Sequence, residues 1–188
     1  MVGPLLRLLR RFAGNNRGVA AVEFALVLPP LIVLYFGTLE AAALYTADQR
    51  VTAIAGTIGD LVSRVDGTIA TSTLNDYFQA AKGIMQPYPQ TALRQMVSVL
   101  AVSPSGVATV KWSRTSDGSA ARVANSTYPL GTASTAQINL LARTNGWLVA
   151  SEVSYPYKPV LGVIFSATMQ LNQTEYFLPR FAAEIKIN

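Results

Sequence analysis

The stretch GVAAVEFALVLPPLIVLYFGTLE, residues 18–40, decides how this chain is read. Phe24 to Leu39 carry no charge, and extending the run back to Val19 admits only Glu23. As a helix, Val19–Leu39 would cover about 30 Å, the thickness of one bilayer core. Arg7, Arg10, Arg11 and Arg17 precede it with no acid among them, which predicts a cytoplasmic N-terminus. Residues beyond about 45 then lie on the far side. A secretory signal would have a shorter apolar run that ends in small residues. Here the small residue, Gly18, stands before the run, so a cut there would remove the basic leader and keep the helix.

Composition narrows the chemistry. The chain has 188 residues, 51% hydrophobic and 13% charged, which suits one globular domain plus an anchor. It has no cysteine and no histidine, so disulfides, thiolate zinc sites, cysteine nucleophiles and histidine bases are excluded. The net charge of +5 comes largely from the four leader arginines, and no basic groove with interleaved aromatics follows. A nucleic-acid partner is therefore not expected. No phosphate-binding glycine loop, metal-ligand cluster or nucleophile elbow is present, and Asp60 and Asp66 are too isolated to make a metal pair. The expectation is a non-enzyme with no catalytic residue, no metal and no cofactor.

A basic leader, a glycine, four residues, a glutamate, an aromatic and an apolar helix resemble the start of type IV pilin-like precursors. More narrowly, residues 18–40 resemble the TadE/TadG family of the tight-adherence (Tad, Flp) pilus. VSYPYKPVLGVIFSATMQL, residues 153–171, is similar to a second block of short TadE-like proteins. The double proline Pro29-Pro30 departs from the commoner single proline, and the chain is too short for the von Willebrand-type domain of long TadG proteins. The resemblance implies cleavage by a prepilin peptidase between Gly18 and Val19. It gives Glu23 and Phe24 an assembly role in a minor pilin or pseudopilin that acts in pilus assembly or initiation. The implied partners are that peptidase, other Tad pilins and pseudopilins through the N-terminal helix, the inner-membrane pilus platform and the lipid bilayer. The implied place is the inner membrane, single-pass, with the C-terminal domain periplasmic, and the extracellular pilus as a further destination. The alternative is a non-polymerising, membrane-anchored extracytoplasmic scaffold or adhesin domain.

The physics of Glu23 is compatible with that role. A carboxylate at the centre of a membrane helix costs about 2.5–3.5 kcal/mol on insertion scales, and less near the interface. Cleavage would create an ammonium group on Val19, and a neighbour's ammonium could neutralise Glu23. Read as lying in the first helical turn, Glu23 also gains from the macrodipole. Snorkelling to the headgroups, or pairing with its own Val19, would need no assembly. Pro29 and Pro30 cannot donate backbone hydrogen bonds, so the carbonyls of Ala25 and Leu26 lose their helical partners and a kink or a locally loosened turn is expected. That kink serves filament packing or a plain anchor equally well. Gly37 and Ala41 form a weak small-xxx-small pair.

Beyond Tyr45, Leu44, Val51, Ile54, Ile58, Leu61 and Val65 recur at helical spacing, with Ala47, Ala55 and Val62 alongside. This predicts an amphipathic extension that Asp66-Gly67 ends. A short second helix is expected over 73–85. A hairpin is expected over 95–114 around Ser103-Pro104-Ser105-Gly106, with Ala108, Val110 and Trp112 sharing one face. Residues 115–135 read as an exposed loop, followed by a short helix near 134–143. Trp147, Val149, Val153 and Tyr155 share a strand face, YPYKPVLG reads as a turn or crossing, and Ala167, Met169 and Leu171 mark another strand. Phe181, Ala183, Ile185 and Ile187 suggest an added edge strand. The expected organisation is a leader at 1–18, a transmembrane helix at 19–45, its amphipathic extension at 46–66 and an extracytoplasmic domain at 67–188. The fold class is α+β and pilin-like, a long membrane-spanning and amphipathic helix packed on an antiparallel sheet of four to five strands.

Overall fold

An apolar run that must satisfy its own backbone and an amphipathic run with one oily stripe both favour a helix, and here they join without a break. In the computed structural model, helix α1 extends over Val19–Ser63, 45 residues. The structure describes residues 18–129, 146–159, 162, 166–181 and 183–188. The fold has two compact units. One takes in residues up to Ala43 and Pro159–Ala167, and the other takes in Leu44–Lys158 and Thr168–Asn188.

In the second unit, the predicted stripe of α1 is the core. Ala47, Val51, Ile54, Ala55, Ile58 and Val62 are fully buried, while Leu44, Leu61 and Val65 are half-covered. After α1, Gly67 takes φ 74 to reverse the chain into a short strand, β1 (Thr68–Ile69). Helix α2 (Thr71–Lys82) and a tight turn at Gly83–Met85 follow, and they bury Leu74, Phe78, Ala81 and Met85. The predicted second helix is thus present, starting two residues earlier. Arg50 of α1 donates to the Ile84 carbonyl at 2.7 Å and ties the two helical segments together.

Four strands make the main sheet: β2 (Arg94–Val102), β3 (Ala108–Thr115), β4 (Trp147–Tyr157) and β5 (Met169–Phe177). They are antiparallel in the order β3-β2-β4-β5. The hairpin turn falls where expected, with Gly106 at φ 79 and the Gly106 N–H on the Ser103 carbonyl at 2.9 Å. The expected face for Ala108, Val110 and Trp112 needs correction. Val99 pairs with Trp112 but Leu100 pairs with Val110, so a β-bulge absorbs Lys111. One extra residue reverses the alternation. Ala108 and Val110 join Leu100, Leu148, Ala150 and Tyr128 on the outer face. Trp112 instead turns to the face shared with α1, and its indole N–H donates to the Ile185 carbonyl at 2.6 Å.

Three further expectations change. β4 runs on through Tyr155-Pro156-Tyr157 instead of turning there. Pro156 is tolerated because pairing with β2 stops at Ser154, so its missing N–H would have had no β2 partner. Residues 116–128 are not simply an exposed loop. They fold back as a strap along β3, with Tyr128 buried and its N–H on the Ala108 carbonyl at 2.8 Å. The last alternation adds no strand to the main sheet, which keeps four. Only Lys186–Ile187 forms a strand, β6, and it pairs in parallel with β1 in a separate two-stranded sheet. The helix expected near 134–143 lies outside the described residues.

α1 is fastened to β5 and the segment after it. The Gln173 amide donates to Asp48 at 2.9 Å, and Arg180 reaches Asp60 at 2.8 Å while its N–H binds the Ser63 carbonyl at 2.8 Å. Asp60 also accepts from Arg64. The hydrogen bonds from Arg64 and then Arg180 hold the Asp60 carboxyl below its ordinary range. A lowered acid pKa contributes stability above the unfolded value of about 3.9 and loses it as pH falls through the folded one.

Two glycines of α1 test this packing. Open space surrounds the Cβ position of Gly56, whereas a Cβ on Gly59 would lie 2.3 Å from the Phe177 ring. Alanine gains about 1 kcal/mol over glycine in a helix, but overpacking costs about 1–3 kcal/mol. Gly56→Ala should therefore raise the melting temperature of the full chain in detergent micelles, and Gly59→Ala should lower it. Phe177→Leu should restore part of the second loss. Equal shifts from both alanines, read by near-ultraviolet circular dichroism, would refute the close approach of α1 to β5.

Candidate functional site

The predicted site residues lie at the start of α1 and within its first three or four turns, which form part of the first unit. Gly18 stands just before the helix, exposed, with open space around it. Val19 is the first helical residue and is 51% exposed. Glu23 and Phe24 are exposed too. Residues four apart share a helix face, so Val19 and Glu23 stand one turn above the other, and Phe24 points about 100° away. One expectation is corrected here. Because α1 begins at Val19, its first turn contains no acid, and Glu23 is the fifth residue. The macrodipole falls off within that turn, so it contributes less to Glu23 than a first-turn position would.

The surface around these residues is apolar on every side. Val22, Leu26, Val27, Leu31, Ile32 and Leu34 are all exposed, at successive angles that circle the helix. Among the described residues, α1 is the one helix long and apolar enough to cross a membrane. The helix stays continuous through Pro29 and Pro30. Proline supplies no N–H, so the carbonyls of Ala25 and Leu26 have no donor at the usual fourth residue. Glu40 closes the uncharged run and is only 3% exposed.

The second unit carries a feature that the sequence reading missed. Glu152 on β4 accepts from Arg122 Nε at 2.8 Å, from the other end of that guanidinium at 2.6 Å, and from the Tyr128 hydroxyl at 2.8 Å. The Arg122 guanidinium also stacks 4.6 Å from the centre of the Tyr128 ring. Together these contacts pin the strap over the outer face of the sheet. Beside the pin lies an open groove of about 550 Å³, lined by Arg94, Met96, Arg122, Glu152, Asn172 and Thr174 among others. Burial, followed by the nearby Glu152 charge, pushes the Tyr128 hydroxyl well above its ordinary pKa. The Glu152 hydrogen bond raises Arg122 as well. A carboxylate held by three donors is a structural clasp, not a free base. No local pattern could reveal it, because Arg122 and Glu152 are 30 residues apart.

The clasp makes an alkaline prediction. A raised tyrosine pKa contributes stability that is complete below the unfolded value of about 10 and is lost as pH rises beyond it. Tyr128→Phe should flatten the fall in melting temperature between about pH 9 and 11, while also lowering stability at neutral pH. An unchanged alkaline slope in the phenylalanine variant would mean that Tyr128 does not govern it.

Comparison with known proteins bears on the first unit most directly. No curated protein matches the chain, and no solved structure matches it. A family model described as TadE-like protein matches residues 18–57. The match starts at Gly18, takes in Glu23, Phe24 and both prolines, and stops at Thr57 within the packed part of α1. The sheet and the block at 153–171 fall outside it. Over residues 18–57, and there alone, this chain is similar to the TadE-like protein family.

Proposed function

We propose that the protein is a minor pilin or pseudopilin of a Tad (Flp) type IV pilus that acts in pilus assembly or initiation. The observation that carries this reading is Glu23, an exposed acid one turn into a helix that is otherwise apolar on all sides, within a match that starts at Gly18. A prepilin peptidase cuts between Gly18 and Val19, and the exposed position of both residues suits such access. The leader, residues 1–18, stays in the cytoplasm before the cut. Residues 19–45 cross the inner membrane, 46–66 extend the helix beyond it, and 67–188 form a periplasmic domain.

In this mechanism, Glu23 pays an insertion cost that assembly recovers. The new ammonium on Val19 of one subunit meets the Glu23 carboxylate of its neighbour, with Phe24 beside the contact and the apolar helices packed around it. Leaving one partner of a desolvated ion pair uncompensated costs about 3–5 kcal/mol, enough to shift a polymerisation equilibrium by more than two orders of magnitude. The unpartnered carbonyls before Pro29 and Pro30 provide a point where the helix can bend as neighbours pack. Other pilins, the pilus platform and the bilayer are the partners, and no catalytic step is assigned to the chain.

Two outcomes are expected. Gly18→Arg should leave the precursor uncut yet membrane-inserted, read by N-terminal sequencing of protein purified from its native membrane. A chain starting at Val19 in that variant would refute the cleavage site. Glu23→Val should raise the amount of membrane-bound protein and abolish or sharply reduce surface pili, while Glu23→Asp retains them. Normal pili in the valine strain would leave a non-polymerising anchor as the better reading.

A further inference from the structure

We propose that the outer edge of β5 receives an extended segment of a second polypeptide as a fifth strand of the main sheet, one bearing a basic side chain opposite Glu175.

The two edges of the sheet are treated differently. Over Ala108–Val110 the β3 edge is closed by the chain itself. Asn125 N–H donates to the Val110 carbonyl at 2.7 Å, Val110 N–H to the Ser126 carbonyl at 3.0 Å, and Tyr128 N–H to the Ala108 carbonyl at 2.8 Å. The β5 edge has no such cover among the described residues. Its outward groups follow from strict alternation along each strand. Val102 N–H donates toward β4, to the Gly146 carbonyl at 2.9 Å, so the even residues of β2 face β4. Leu100 pairs with Leu148, which places the even residues of β4 toward β2 and the odd ones toward β5. Val149, Ser151 and Val153 pair with Phe177, Glu175 and Gln173, so the odd residues of β5 face β4. Gln170, Asn172 and Thr174 therefore turn both N–H and C=O to the open edge.

Apart from the one charge at Glu175, the usual defences of an edge strand are missing. Natural sheets blunt exposed edges with proline, lysine, bulges or very short strands. β5 has nine residues, contains no proline, lysine or arginine, and keeps one register with β4 from Met169 to Phe177. Just past it, Leu178 and Phe181 are 48% and 56% exposed.

Chemistry and direction define the occupant. The edge offers main-chain donors and acceptors, which an extended backbone satisfies. Asn172 and Thr174 present uncharged polar side chains on the outer face, and Glu175 is the single charge of the strand. A basic side chain opposite Glu175 completes the cross-strand pair. A second copy using its own β5 in antiparallel fashion fits poorly. Gln173 meets Asp48 and Phe177 meets Gly59, so β5 runs in the same direction as α1. Antiparallel β5 pairing would then point the packed halves of the two α1 helices, from Leu44 to Ser63, in opposite directions, against the side-by-side helices of the assembly proposed above.

The test uses the full chain in detergent micelles and the peptide Thr-Val-Thr-Arg-Thr-Val-Thr. Hydrogen exchange at Gln170, Asn172 and Thr174 should slow at least about tenfold when the peptide saturates the edge. The same peptide N-methylated on alternate residues should give no protection. Thr174→Pro, which removes an outward N–H, should abolish the effect. Glu175→Lys should weaken binding about tenfold and make a peptide with glutamate in place of arginine the better ligand. That charge-reversal arm decides the matter if the proline variant fails to fold. The proposal falls if the plain peptide protects nothing on β5, if the N-methylated peptide protects equally, or if β5 is already protected in a sedimenting dimer without peptide. None of these readings depends on cleavage at Gly18 or on pili, so this inference and the proposed function can fail separately.

Discussion

The structure depends on one helix whose surroundings must change along its length. Up to about Leu39, every angular sector of α1 is apolar, and most of its side chains are exposed among the described residues. From Ala47 onward, one stripe is fully buried and the opposite side is polar. A continuous helix is the one conformation that suits both halves, since it satisfies the backbone internally whether lipid, water or a sheet lies outside. The pair Pro29-Pro30 sits within the first half, where side-chain packing does not enforce straightness. There the loss of two hydrogen bonds is a local matter and leaves the packed half untouched.

The second half of α1 sets the architecture of the other unit. Its buried stripe demands a flat apolar partner, which four antiparallel strands provide, and Gly59 lets the Phe177 ring approach the helix backbone. A sheet that covers a helix on one face still has a second face. That face is also apolar at Leu100, Val110, Leu148 and Ala150, so it too needs a cover. The strap provides it, and Arg122, Tyr128 and Glu152 fasten the strap. Half-buried charges are tolerable there because each oxygen of Glu152 has a donor and the guanidinium has both a carboxylate and a ring. The bulge at Lys111 allows Val110 to serve one face and Trp112 the other, so one strand supplies large side chains to both layers.

The sequence by itself determined the elements whose neighbours lie close along the chain. Helical spacing from Ala47 to Val62 named the core stripe, because 3.6 residues per turn maps a buried side directly onto sequence intervals. The Ser103–Gly106 turn was legible because a glycine at positive φ leaves a local signature. Gly18, Glu23 and Phe24 stand as candidates because their spacing and composition are local facts, and the family match begins at the same glycine. Tertiary structure alone decided what depends on distant partners. A bulge reversed the expected face of Trp112, since period-two reasoning cannot detect one inserted residue. The strap and its clasp join residues thirty apart, and no periodicity links Arg122 to Glu152. The final alternation became a two-residue pair with β1, just after Ile185, whose carbonyl accepts from Trp112. Pattern says which side chains must be buried; which surface buries them is settled only when all the layers compete for it.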